Sequence, residues 1–279
     1  MAATPEEQEV VIRDVTPGAL AAITRSELDA QLEVAQVRRR EVTAFQARAI
    51  ALATIDPETA AACFYAVPRD GKLIRGPSVR LAEICAATWG NLRVGARVID
   101  EGEKMLTAQG WGHDLETNYA VSVEVRRRLT DKYGRRYRDD LILLTANAAC
   151  SVAYRNAVWK VIPRVYIDAI LKAVEAAAIA TAPAPGEVAD PIMAADQRAQ
   201  KAVAYFVRAG VSEAAVLARL EIATMADFTP EHLGALTGLR TAIREGAVTL
   251  GEAFPLVQPE QDGAERLKDR VRQVAERPR

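Results

Sequence analysis

Histidine and cysteine, on which many catalytic and metal centres depend, are scarce: two His and three Cys in 279 residues. Two histidines cannot build a histidine-rich metal site. Cys63, Cys85 and Cys150 lack CxxC spacing and lie in apolar surroundings, so they read as reduced core residues. The sequence has no GxxxxGK[ST] phosphate loop and no GxGxxG after a strand, which leaves ATP-driven or dinucleotide-dependent action without support. It also has no GxSxG elbow and no HExxH helix, so ordinary hydrolases find neither nucleophile nor metal candidate. No apolar run approaches the roughly 20 residues needed to cross a bilayer. The opening MAATPEEQEVVIRD is acidic and lacks an apolar signal core, which gives the expectation of a cytoplasmic protein. Net charge is only −1, so any strong electrostatic character has to be local.

That local character lies between Thr117 and Arg164. Ten basic residues (Arg126, Arg127, Arg128, Lys132, Arg135, Arg136, Arg138, Arg155, Lys160, Arg164) stand against four acids (Glu124, Asp131, Asp139, Asp140). Tyr133 and Tyr137 sit inside the basic run, and flat rings between cations suit a nucleic-acid strand with exposed bases. The bland alternative is a solvated strand pair whose arginines discourage edge-to-edge aggregation. Lys72, Arg75 and Arg80 form a second, weaker cluster around a glycine-proline loop, where they can grip backbone phosphates or serve as ordinary surface charges. Trp89, Trp111 and Trp159 fall at element ends in apolar contexts and read as core anchors rather than stacking platforms. His113, Asp114 and Glu116 could hold a metal, but three such residues after a strand more often form a turn.

Patterning divides the chain into an acidic flexible arm (1–25), an α+β core (26–180), a proline-rich linker (181–191), a small helical C-terminal domain (192–256) and a charged tail (257–279). A long helix is expected from Ser26 to Thr54, and a short one from Asp56 through Phe64. Pro68 to Glu83 reads as a loop feeding a helix that Ser78 can cap. Three period-two segments follow, Leu92–Asp100, Met105–Gly112 and Tyr119–Leu129. In the last, Tyr119, Val121, Val123 and Val125 face one side, and Ser122, Glu124, Arg126 and Arg128 the other. Asp131 to Gly134 is a turn, and Arg135 to Leu141 returns as a fourth strand or strand-like arm. A helix from about Leu143 to Val161 carries Ala146, Cys150, Ala153, Ala157 and Val161 on one apolar stripe. A further helix is expected from Val165 to Ala180, then short helices near 194–209, 212–220, 230–244 and 249–254. The fold class is therefore α+β: an antiparallel hairpin sheet packed on a long central helix, with an N-terminal helix and a helical C-terminal domain.

The order of elements in GKLIRGPSVRLAEICAATWGNLRVGARVID and TNYAVSVEVRRRLTDKYGRRYRDDLILLTANAACSVAYRNAVWKVIP resembles the phage single-strand annealing proteins of the RecT and lambda Red beta type. The resemblance covers about residues 60 to 180. It implies ATP-independent binding of single-stranded DNA in a basic groove, pairing of complementary strands, and assembly into rings or helical filaments in a bacterial host cell during homologous recombination, without cofactor or metal. On that resemblance Arg126, Arg128, Lys132, Arg135, Arg136 and Arg138 line the hairpin wall, and Tyr133 and Tyr137 join them as the rings inside the basic run. Arg155 and Lys160 line the helix wall, with Lys72, Arg75 and Arg80 on the preceding loop. The C-terminal domain would contact an exonuclease or a single-strand-binding protein. Rival readings are a metal-dependent nuclease centred on His113 to Glu116, and a structural phage protein with an incidental basic face. In the first reading the protein binds and assembles rather than turning over a substrate.

Overall fold

The computed structural model describes residues 17–69, 72–131, 133–179 and 191–254. Two helices come first, α1 (Pro17–Val37) and α2 (Val42–Ala53), in place of the single helix expected from Ser26. Apolar spacing runs through the break without losing phase, so its cause is tertiary. Arg40 leaves the helix to donate its amide to Glu116 (2.7 Å), and the Asn91 side chain holds the Arg38 carbonyl at 2.6 Å. Residues 17–25, expected within a loose arm, are helical.

Helix α3 (Pro57–Ala62) starts where expected, with Asp56 Oδ1 accepting from the amides of Glu58 and Thr59 at 2.8 Å. The next segment corrects the reading. Phe64–Arg69 (β1) and Lys72–Pro77 (β2) form an antiparallel hairpin with Tyr65 opposite Gly76 and Arg69 opposite Lys72. Pro68, Gly76 and Pro77 suggest a loop by composition, yet a two-stranded ribbon has two open edges where a missing amide costs nothing. Gly76 is needed for space, since a Cβ there would stand 2.7 Å from the Tyr65 hydroxyl. Helix α4 (Val79–Trp89) follows, capped by Ser78, whose Oγ accepts from the amides of Arg80 and Leu81.

Strands β3 (Leu92–Glu101), β4 (Met105–Asp114) and β5 (Tyr119–Arg128) form one antiparallel sheet in that order. Alternation along β4 sends Leu106, Ala108, Gly110, Gly112 and Asp114 to a buried side, and Gln109, Trp111 and His113 to an incompletely covered one. Helix α5 (Asp139–Val161) crosses the buried side. The crossing is close because nothing larger than hydrogen stands at its centre: a Cβ on Gly110 would lie 2.0 Å from the Ala153 carbonyl oxygen. Ala149, Ala153 and Ala157 are fully buried along the same seam.

The expected fourth strand is not formed. Thr130 and Arg136 make a single bridge, the Asp131 carboxylate accepts the amides of Tyr133 and Arg135, and Gly134 takes φ +83°. Helix α5 already begins at Asp139, where two aspartates suit the positive end of the helix dipole.

The remaining helices are α6 (Arg164–Ile179), α7 (Pro191–Arg208), α8 (Glu213–Arg219), α9 (Pro230–Arg244) and α10 (Leu250–Ala253). Their bounds fall within a few residues of expectation, with Ser212 and Thr249 capping α8 and α10 through their hydroxyls. The linker is outside the described residues except for Pro191, and the tail lies wholly outside them. Helix α9 presses on β1: a Cβ on Gly238 would be 2.7 Å from the Ala66 amide, and Thr241 Oγ1 donates to the Ala61 carbonyl at 3.1 Å. The loop after α9 reaches α5, where Gly246 meets Ala148. The architecture is α+β with two small antiparallel sheets.

Candidate nucleic-acid interface

Strand alternation separates the basic residues. Arg126 and Arg128 are exposed on the side of the sheet away from α5, because they pair with Thr107 and Met105. Arg127, opposite Leu106, points to the helix side. Arg155 does not join Arg126 and Arg128 across one trough. It is buried, with its guanidinium 4.6 Å above the Tyr65 ring and 3.5 Å from Glu245 Oε2. The expected hairpin and helix walls therefore do not converge, since α5 lies against the other side of the sheet.

Several of the expected contacts hold the fold together instead. Arg136 pairs with Glu101 at 2.8 Å and donates to the carbonyls of Gly102 and Glu103, fastening the turn to the β3–β4 connection. Tyr137 packs against the cluster of Leu106, Leu129 and Ile142. Arg135 pairs with Asp131 at 2.9 Å beside the exposed Tyr133 ring, and Arg138 with Asp140 at 3.2 Å, both in solvent. Arg75 donates to the Glu231 carbonyl at 2.7 Å, and Arg80 pairs with Glu83. Lys160 is exposed in the last turn of α5; Lys132 lies outside the described residues.

What the fold does build is a cleft of about 730 Å³ between the β1–β2 hairpin, the β5–α5 flank and the C-terminal helices. Tyr65, Val67, Pro68 and Arg69 form the hairpin wall, Arg127 and Arg155 the flank, and Arg219, Ala247, Val248 and Glu252 the third side. Lys72 stands opposite Arg69 at the hairpin end, the one expected loop residue brought next to the cleft. Arg219 is fixed by its bond to the Ala253 carbonyl at 2.7 Å. Among the described residues, no ion pair holds Arg69, Arg127 or Arg219. Glu252 is occupied as the cap of α10: its bonds from Thr249 lower its pKa, and Arg127 lowers it further. Burial raises the pKa of Glu245 despite Arg155 and the Val79 amide.

Sequence reading left Tyr65, Arg69, Arg127 and Arg219 out of the site. For Arg127 the signal was present: in Arg126-Arg127-Arg128 the middle residue has to face opposite to its neighbours. For Arg69 and Arg219 no local pattern announces the meeting of a hairpin tip and a helix end.

The carboxylates of the rival metal site are taken. Arg40 grips both Asp114 oxygens at 2.5 Å, and Asp114 also accepts from Trp89 Nε1. Burial opposes ionisation of Glu116, but bonds from Asn91 and Arg40 outweigh it and hold its pKa below the usual carboxylate value. Among the described residues no group of metal-binding side chains forms. Trp89 is a buried anchor, edge-on to Phe45 at 4.8 Å. Trp111 is only partly buried, on the sheet face away from α5. Burial pushes the Cys63 and Cys85 thiols up to about 12, so neither is a ready nucleophile.

No family model, curated protein or solved structure matches the chain. Among the described residues, no helix is long and apolar enough to cross a membrane.

Proposed function

We propose that the protein binds single-stranded DNA in the cleft between the hairpin and α5 and promotes annealing of complementary strands without ATP, in the manner of the RecT and Red beta type proteins of phage recombination. The observation that carries this reading is the group of four arginines around one open cleft, three of them without an ion-pair partner among the described residues. Strand phosphates would release counterions on meeting these guanidinium groups. Two strands repel through their phosphates. A cleft that neutralises one backbone while leaving its bases accessible lets a second strand test for pairing, and base stacking of about 1–2 kcal/mol per step supplies the driving force.

Assembly into rings or filaments belongs to the same proposal. Helix α1 exposes Ile23, Val34 and Val37 and buries only Ala35 among its described side chains. With the residues before it, it carries seven acids and two arginines through residue 34. A neighbouring copy's basic surface fits that helix, and deletion of residues 1–34 should reduce particle size; unchanged oligomers would remove α1 from the contact.

The decisive experiment mixes labelled complementary oligonucleotides without ATP and compares wild type with Arg69→Ala/Arg127→Ala. Accelerated duplex formation by wild type, weakened in the variant, is expected. Indifference to DNA at low salt would sink the reading, and shortened strands with Mg²⁺ would favour the nuclease.

A further inference from the structure

The sheet has a second side that the cleft does not use. Helix α5 covers one face; on the other, among the described residues, Glu27 of α1 comes within 3.8 Å of Arg93 near the start of β3. Trp111 sits in the middle of this face, partly buried, with the Arg93 guanidinium 5.8 Å from its ring centroid. It lies down over Gly95, where a Cβ would be 2.6 Å from the indole ring, so the absence of a side chain at 95 makes room for a flat plate on the sheet. Beside it Gln109 is held from both sides, by Arg97 at 3.1 Å and Ser122 at 3.1 Å, giving a fixed polar ladder across all three strands. Arg126 and Arg128 continue the face along β5, exposed and without an ion pair among the described residues. Their side chains are about 7 Å apart along the strand.

We infer that this face is a second binding surface for an unpaired polynucleotide, with bases stacking on Trp111 and phosphates meeting Arg97, Arg126 and Arg128. The inference rests on the reading of the protein as a strand binder and adds that one chain holds two strands, on opposite sides of one sheet. Charge complementarity selects the occupant. Arg97, Arg126 and Arg128 outnumber the acids that share the face, Asp100 and Glu124. Trp111, Met105 and the exposed Ile99, in the β3 bulge opposite Thr107, are its large apolar groups, too few for the apolar centre that a stable protein interface requires. An aromatic plate among arginines and amides is instead the composition that receives bases and phosphates together. The division follows from β5 itself, in which Arg127 serves the cleft while Arg126 and Arg128 serve the opposite side.

Stoichiometric titration of the full chain with a fluorescent oligothymidylate of about eight nucleotides, which cannot pair with itself, tests the inference independently of assembly state. Wild type should saturate at two oligonucleotides per chain, and Arg126→Glu/Arg128→Glu at one; both residues are exposed, so the fold is not at stake. Trp111→Phe should lose the quenching of tryptophan fluorescence that thymidylate causes in wild type. An Arg126→Glu/Arg128→Glu variant that binds as many oligonucleotides as wild type would overturn the second surface, and so would quenching undiminished in Trp111→Phe. A change confined to particle size without DNA would overturn it too, by making the face a contact between copies. The cleft is judged separately by Arg69→Glu/Arg127→Glu: if that variant keeps every site, the cleft reading fails while a loss in Arg126→Glu/Arg128→Glu still supports the sheet face.

Discussion

Arg40 and Arg155 are both almost wholly buried, with side chains 7% and 9% exposed, and both lie against an aromatic ring, Trp89 at 4.4 Å and Tyr65 at 4.6 Å. Their partners differ. Arg40 meets two carboxylates, one of them through both oxygens at 2.5 Å, so its charge is fully matched inside the protein. Arg155 meets one carboxylate, through a single 3.5 Å contact, and that carboxylate is itself pushed toward neutrality by burial. The first arrangement fixes the junction of the α1–α2 break with the end of the sheet. The second leaves positive potential directed into a cleft with three more arginines. The same residue type on the same kind of ring is structural where carboxylates saturate it and available where they do not.

The contrast is broken most directly by removing Arg40. Arg40→Ala leaves Asp114 buried at 3% exposure without its cation, and loss of one partner from a buried pair costs about 3–5 kcal/mol. Urea unfolding should register a loss of that size, while the folded fraction binds single strands normally. A loss under about 1 kcal/mol would mean that the pair is not what closes this junction. The cleft should respond in the opposite sense. Arg69→Ala/Arg127→Ala should unfold within about 0.5 kcal/mol of wild type, since neither side chain is held in an ion pair. Its affinity for oligothymidylate should fall about tenfold or more, and the slope of log affinity against log salt should flatten by about 1.4, at about 0.7 per lost phosphate contact. An unchanged slope would take both residues off the backbone path.

The same contrast explains which parts of the molecule could be read in advance. Period-two segments gave β3, β4 and β5, and helical spacing with Ser212 and Thr249 caps placed the C-terminal helices, because those signals are local. The β1–β2 hairpin was hidden: Pro68, Gly76 and Pro77 are loop residues by composition, yet the open edges of the ribbon accept the prolines and the Tyr65 ring leaves room only for hydrogen at Gly76. The interruption at residues 38–41 was hidden for a similar reason, since its partners Asn91, Asp114 and Glu116 are far along the chain. The basic segment could be recognised by charge count, but the count does not record direction. Arg136 and Tyr137 were drawn into holding the turn, Arg155 turned to the hairpin, and Arg127, counted but not assigned, became part of the cleft. Trp111 looked like core because it falls at an element end in an apolar context, whereas the absent side chain at Gly95 is what lets it lie on the sheet.

The finest probe of the contrast is the carboxylate that half-matches Arg155. Burial raises the folded-state pKa of Glu245 above its ordinary 4.5, with Arg155, the Val79 amide and Arg80 pulling it down and Glu83 pushing it up. The folded protein thus holds this proton more tightly than the unfolded chain. The associated stability is fully present below the ordinary carboxylate value and is lost as pH rises through the raised one. Over that window protonation also removes the negative charge facing Arg155, so single-strand binding should tighten as pH falls. Glu245→Gln fixes the uncharged form. It should bind oligothymidylate a few-fold more tightly than wild type at neutral pH and lose the wild-type gain on acidification. Anisotropy titrations at constant ionic strength over about pH 5 to 8 read this difference, with other titrating groups cancelling between the two proteins. A variant that follows the wild-type pH profile would show that Glu245 does not restrain Arg155, and the distinction drawn between the two buried arginines would then have to rest on geometry alone.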